Sequence, residues 1–263
     1  MNNRITQLFQ ARQSGILSVF FTAGYPQRDQ TAEIIETLAA SGAGMIEIGI
    51  PYSDPIADGS TIQHSSQVAL ANGMSLRLLF EQLEGIREKV DIPLLLMGYL
   101  NPVLQYGMES FCARAAEIGI DGLILPDLPM YEYESTYRAM FEKYGLSNVF
   151  LVTPQTSDAR IRKIDRLSNG FIYLVSTDST TGKTTGIEAA QEAYFARVKE
   201  MELENPFLIG FGISDHESFG KATRYAQGAI IGSAFIKALG QPGALEENIR
   251  NFCQTILTPS ATV

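Results

Sequence analysis

The sequence predicts a parallel α/β fold, a (β/α)8 barrel, from three observations. Short apolar or β-branched runs alternate with amphipathic stretches, there are eight such runs, and the chain has 263 residues. Strands that alternate with helices require βαβ crossovers and a parallel sheet. Eight units in about 250 residues is the size of a closed (β/α)8 TIM barrel. A doubly wound sheet is the structural alternative that periodicity leaves open. No linker, low-complexity tract or repeat marks a boundary, so residues 1–263 read as a single barrel domain.

In chain order, an amphipathic stretch at Arg4–Gln13 predicts a helix ahead of the first strand. The strand candidates are Leu17–Thr22, Met45–Gly49, Pro93–Met97, Gly122–Leu125, Val149–Val152, Phe171–Val175, Phe207–Gly210 and Ala229–Ile231. Between them, Gln30–Ser41 places Ile34, Ile35 and Leu38 on one helical face, and Phe111–Ile118 does the same with Phe111, Ala115 and Ile118. Thr61–Leu70 and Leu76–Val90 give two helices after the second strand, one more than a minimal barrel needs. Further helices are predicted near Met108–Glu117, Tyr133–Lys143, Asp158–Leu167, Ala189–Met201, His216–Tyr225 and Leu245–Thr255.

Composition excludes several partner classes. With 20 basic and 29 acidic residues the net charge is -9, which disfavours nucleic acid and anionic membrane surfaces. A small phosphorylated ligand remains compatible, because backbone N–H groups can hold it. Cys112 and Cys253 lie far apart and fit no C-x-x-C pattern, as expected of reduced thiols, with a structural disulfide as the lesser alternative. The N-terminal stretch has two arginines before an apolar run, but Ser18 interrupts that run and no A-x-A site follows. No segment reaches the roughly 18 to 20 apolar residues of a membrane span. The expected location is the cytoplasm.

The second strand carries the first chemical signal. In "MIEIGIPYSDPIADGS", Ile46, Ile48 and Ile50 share one face, and Met45, Glu47 and Gly49 share the other. If the isoleucines pack on the helices, Glu47 turns into the barrel. A carboxylate there is costly unless paired, hydrogen-bonded or protonated, and burial would raise its pKa toward that of a neutral-pH acid or base. A structural glutamate bonded to a tyrosine or the backbone is the alternative. The following loop is too rich in Pro, Asp and Gly for a helix, and it sits at the strand ends where barrels place their chemistry. It offers Asp54 and Asp58, either of which could instead serve as an N-cap or Asx-turn residue.

Two late motifs suggest an anion site. "LIGFGIS" at Leu208–Ser214 and "AIIGSAFIK" at Ala229–Lys237 follow the seventh and eighth strands. Gly210, Gly212 and Gly232 permit close backbone approach, and Ser233 would open a helix with outward-pointing N–H groups. Barrels recurrently bind phosphate there, although the glycines could also just make tight turns. "GFGISD" lacks the third glycine of a dinucleotide fingerprint, and "TGKT" at Thr181–Thr184 follows Thr177 where a P-loop needs glycine. The polar run Ser176–Gly186 is long enough for a lid, and equally fits a surface loop. His64 and His216 are isolated and match no metal-binding spacing.

With Glu47, the "PYSDPIADG" loop and both glycine turns considered together, the chain resembles the alpha subunits of tryptophan synthase. The likeness extends from "FFTAGYP" through "MGYLNPV", "LILPDLP" and "FIYLVS" to "GFGIS" and "IIGSAFIK". It implies a TIM barrel and a lyase that cleaves indole-3-glycerol phosphate to indole and glyceraldehyde 3-phosphate in tryptophan biosynthesis. It also implies acid/base chemistry at Glu47, a bond from the indole N–H to Asp58, and a hydroxyl at Tyr173 near Glu47. Phe20 would pack on the indole ring, and Gly182, Gly212, Gly232 and Ser233 would hold phosphate. Thr181 would meet Asp58 on closure. The resemblance implies no cofactor in this chain. A beta subunit with pyridoxal phosphate would complete an alpha2-beta2 heterotetramer, docking near Pro51–Asp54 and Asn101–Pro102 and receiving indole. "DSTTG" departs from the usual lid sequence, and Tyr99 receives no role. Another phosphate-binding barrel enzyme and a non-catalytic regulatory subunit are the alternatives.

Overall fold

The computed structural model describes residues 3–176, 184–210 and 212–259. The strands are β1 (Ile16–Thr22), β2 (Met45–Gly49), β3 (Leu94–Met97), β4 (Gly122–Ile124), β5 (Ser147–Asn148), β6 (Phe150–Val152), β7 (Ile172–Val175), β8 (Phe207–Gly210) and β9 (Gly228–Ile231). They run parallel in the order β5-β4-β3-β2-β1-β9-β8-β7-β6. The two ends of that list are one strand interrupted at Val149, so the sheet curls into a barrel. Nine segments replace the expected eight because the fifth strand changes neighbours: β5 pairs with β4, and β6 pairs with β7. Val149 at the junction still donates its N–H to Leu123 O at 2.9 Å.

The helices are α1 (Arg4–Ala11), α2 (Thr31–Ala40), α3 (Ser60–Ala71), α4 (Leu76–Gln82), α5 (Leu100–Tyr106), α6 (Met108–Ile118), α7 (Met130–Glu132), α8 (Arg138–Lys143), α9 (Asp158–Leu167), α10 (Thr184–Glu200), α11 (His216–Thr223), α12 (Ser233–Leu239) and α13 (Leu245–Leu257). Three depart from expectation for identifiable reasons. The predicted Leu76–Val90 helix breaks because Gly85 adopts a φ of 73°, and a 3-10 turn follows at Ile86–Glu88. A π turn over Tyr133–Tyr137 joins α7 to α8 and buries the Tyr133 ring. The loop-like "LNPV" opens α5, with Pro102 in the first turn, where its missing N–H has no helical partner to lose. Among the described residues no helix is long and apolar enough to cross a membrane.

Strand alternation sorts the core into layers. Ile46, Ile48 and Ile50 join Ile34, Ile35 and Leu38 of α2 in the layer between sheet and helices. Met45, Leu95, Ile124, Val149, Leu208 and Ile230 fill the barrel with Ile5 and Phe9 of α1. Phe9 meets Phe171 at 5.9 Å between ring centroids. Helix α1 therefore plugs the N-terminal end, anchored by Asn3, which caps it and donates to Ser147 Oγ at 2.9 Å. The C-terminal end carries a separate, smaller apolar group around Phe20, Ile62 and Ile236. That end is where the barrel opens.

Candidate active site

Glu47 projects into the barrel from β2, in register with Phe20 of β1 and Leu95 of β3. It is wholly buried. Ser18 Oγ donates to its Oε1 at 2.8 Å, while Oε2 accepts no hydrogen bond. Among the described residues no arginine, lysine or histidine pairs with it. Burial therefore dominates and pushes the carboxyl up to about 8, with the Ser18 bond opposing the rise in part. At neutral pH the group holds a proton it can surrender.

Asp58 lies in the loop that leads from β2 to α3 and is half-buried. Gly59, not Asp58, is the N-cap of α3, so the Asp58 carboxylate is not engaged in capping. Tyr99 donates its hydroxyl to Asp58 Oδ2 at 3.1 Å and accepts the Ala57 N–H at 3.0 Å. The Tyr99 ring packs on Tyr52 at 5.1 Å between centroids. Burial raises the Asp58 pKa and the Tyr99 bond counters it. Burial, with the Asp58 charge second, pushes the Tyr99 phenol up to about 12. Asp54 is exposed and accepts from Ser53 Oγ at 2.6 Å, so only one of the two loop carboxylates reaches the cleft.

A cleft of about 500 Å3 at the C-terminal end is lined by Asp58 and by Phe20, the register neighbour of Glu47. Asp58 and Tyr173 contribute polar groups, and Phe20, Ile62, Met97 and Ile230 contribute apolar ones. Its far side is formed by Gly212, Ser214, Gly232, Ser233 and Lys237. Gly212 has a φ of 74°, a conformation that glycine adopts without strain. Ser233 begins α12, whose first-turn N–H groups have no partner within the helix. The cleft thus combines apolar side chains, the Asp58 carboxylate and donors from Ser233, Lys237 and the start of α12. Among the described residues no group of three or more His, Cys, Asp or Glu side chains could hold a metal ion.

Asp58, Phe20, Tyr173, Gly212, Gly232 and Ser233 line this cleft, and Glu47 is buried on β2 in register with Phe20. Thr181 and Gly182 lie outside the described residues. Two details add to the expected set. Ser18 supplies a hydroxyl bonded to Glu47, and Tyr173 is buried, with its phenol raised well above its usual value by burial and by the charges of Glu47 and Asp58. Gly210 makes room for a ring: a Cβ there would stand 2.3 Å from Tyr173. Likewise a Cβ on Gly49 would stand 2.7 Å from Phe20. These glycines seat aromatic walls.

Sequence reasoning missed Ser18, Tyr99 and Lys237. Ser18 could have been found by the argument that singled out Glu47, since it is a polar residue on the inward face of an apolar strand, two positions before Phe20. Tyr99 carried no such signal, because its partner Asp58 is 41 residues away in sequence. Lys237 is one turn into α12, on the side that faces the cleft.

A family model described as "Tryptophan synthase alpha chain" matches residues 7–259. A tryptophan synthase alpha chain from Flavobacterium johnsoniae is 59% identical over 242 residues, covering 92% of this chain and 95% of the relative. One from Christiangramia forsetii is 56% identical over 254 residues, covering 97% and 98%. Among solved structures, Mycobacterium tuberculosis tryptophan synthase superimposes with a TM-score of 0.87 at 30% identity, covering 98% of both chains. The alpha subunit from Legionella pneumophila gives 0.85 at 32% identity, again covering 98% of both. The chain belongs to the tryptophan synthase alpha chain family.

Proposed function

We propose that this chain is the lyase subunit of a tryptophan synthase, cleaving indole-3-glycerol phosphate to indole and glyceraldehyde 3-phosphate. The observation that carries the mechanism is Glu47, a buried carboxyl without a cation and pushed up to about 8. Retro-aldol cleavage needs a group that is protonated at the start and basic a moment later. Protonation of indole C3 makes that carbon tetrahedral and leaves positive charge on the ring nitrogen. The hydroxyl on the adjacent side-chain carbon then loses its proton as the C–C bond breaks, its electron pair returning to the ring. Glu47 gives the first proton and recovers the second, so it ends as it began.

Asp58 accepts the indole N–H and offsets the charge that grows there. Two carboxyl groups in unlike surroundings divide the work, one neutral and deep, the other half-exposed and bonded to Tyr99. The ring lies against Phe20, and the phosphate sits by Gly212, Gly232, Ser233 and the Lys237 ammonium, with Tyr173 between the two ends. Thr181 is assigned the closing contact with Asp58, and Gly182 a phosphate contact, as the family implies. None of these steps calls on a cofactor in this chain, and pyridoxal phosphate belongs to the beta subunit.

Indole passes to that beta subunit in the cytoplasm. Exposed apolar side chains in the β2–α3 loop, α7 and α5 suit such a partner: Ile56 is 90% exposed, Tyr131 73% and Leu104 47%. The test is indole release from indole-3-glycerol phosphate in EDTA, with and without a beta subunit. Glu47→Gln should lower kcat by about a hundredfold or more, the scale of a lost general acid. Asp58→Asn should lower it by a comparable factor, as for a lost electrostatic stabiliser. A wild-type chain that releases no indole with its partner present would refute the assignment.

A further inference from the structure

Ser18 places a hydroxyl in a barrel interior filled largely by apolar side chains. It shares the inward face of β1 with Phe20. Its register partners are Met45 on β2 and Ile230 on β9, and Ile230 forms part of the cleft wall. Ser18 is wholly buried, an environment in which an O–H group requires a partner. That partner is one oxygen of Glu47, at 2.8 Å, while the other oxygen of the same carboxyl accepts nothing.

We propose that Ser18 is the positioning residue for Glu47, fixing Oε1 as an acceptor and so reserving Oε2 as the oxygen that gives and takes the proton. The role in catalysis rests on the proposed cleavage reaction. A carboxyl group turns easily about its last torsion, which is broad and two-fold. Without an anchor the proton would be shared between two orientations, and half of them would present the wrong oxygen. A hydroxyl that donates to Oε1 removes that ambiguity, because an oxygen accepting in this direction does not also carry the acid proton along it.

The same bond has a second consequence. A donor favours the ionised carboxylate, so it works against burial. Among the described residues, the titratable group whose charge couples to Glu47 is Tyr173 on β7, on which the Asp58 charge also acts. The strands β1, β3 and β9 present Ser18, Phe20, Leu95 and Ile230 there, none of which titrates in water's range. Ser18 is thus the donor that keeps the Glu47 proton exchangeable near neutral pH.

The test is a carboxyl carbon-13 NMR titration of protein labelled at glutamate, with Glu47→Gln used to assign the Glu47 signal. Ser18→Ala and the near-isosteric Ser18→Cys should each raise the Glu47 midpoint by about one pH unit, the equivalent of one lost hydrogen bond to a charged group. Ser18→Thr, which retains the hydroxyl, should restore it. In parallel, indole release by the Ala and Cys variants should fall about tenfold in kcat with KM little changed, and its pH profile should shift upward with the midpoint. A midpoint that stays put in the folded Ala and Cys variants overturns the proposal. The titration needs no substrate, so it is independent of the activity assay; absence of indole release from wild type would instead overturn the cleavage reaction.

Discussion

Asp121 and Glu47 are carboxylates of the same barrel, buried to 4% and 0% exposure, one beside the N-terminal end of β4 and the other within β2. Their surroundings are opposite. Asp121 accepts from the guanidinium groups of Arg87 and Arg4 and from the Leu94 N–H. Arg87 also holds the Gly119 and Ile92 carbonyls, tying the segments before β3 and β4 together. Glu47 has one hydroxyl donor and an oxygen with none. A buried acid supplied with cations fastens the fold, whereas one left without them is held neutral by burial and available for proton transfer. Burial of a carboxylate is therefore uninformative until its partners are counted.

The largest expected effect separates the two acids by stability. Asp121→Ala leaves a part-buried Arg87 and a backbone N–H without their partner, which costs about 3–5 kcal/mol for a broken buried pair. Glu47→Gln removes the penalty of protonating this acid on folding, so it should not destabilise the fold at pH 7. Urea denaturation of both variants at one pH measures the difference. Equal losses would erase the distinction between a fastening acid and a reacting one.

A second effect sharpens the comparison through pH. Burial raises the folded pKa of Glu47 from 4.5 to about 8, so between those values the folded state binds a proton that the unfolded state does not. The stabilisation tied to that proton is complete below about 4.5 and is lost as pH rises through about 8. Its slope is about 1.4 kcal/mol per pH unit, or about 2 kcal/mol from pH 6 to 7.5. Subtracting the Glu47→Gln stability curve from that of wild type isolates this single group. A flat difference would mean that Glu47 is ionised in the fold.

The barrel and its inward-facing acid are legible in the sequence because both follow from alternation along one strand. Ile46, Ile48 and Ile50 against Met45, Glu47 and Gly49 is a two-residue pattern, and no distant contact is needed to read it. The closing strand was harder, since the switch of β5 and β6 between neighbours at Val149 leaves no mark on composition. Helix α5 was hidden by Asn101 and Pro102, which read as loop although Pro102 fits a first turn. The glycines after the seventh and eighth strands were legible as turns, but the part Gly210 plays depends on a ring from Tyr173, 37 positions earlier, on the adjacent strand. Side chains that act through a partner from another strand or loop, such as Tyr99 on Asp58, are the class that sequence pattern leaves unseen.

Tyr99 supplies the smallest effect and extends the comparison to the third acid, Asp58. Its hydroxyl donates to Oδ2 and accepts the Ala57 N–H, so it ties the loop backbone and the carboxylate to one rigid ring braced by Tyr52. Tyr99→Phe keeps the ring and removes both bonds. Asp58 is half-exposed, and water replaces part of what is lost, so the expected cost is about 1 kcal/mol, or about fivefold in kcat/KM for indole release. With the donor gone, the Asp58 pKa should rise further, because burial continues to favour the neutral acid and the Tyr99 bond no longer opposes it. The lower limb of the pH profile should therefore move up in Tyr99→Phe, while the limb set by Glu47 stays in place. Movement of both limbs together would mean that the two acids titrate as a coupled pair rather than as separately supported groups.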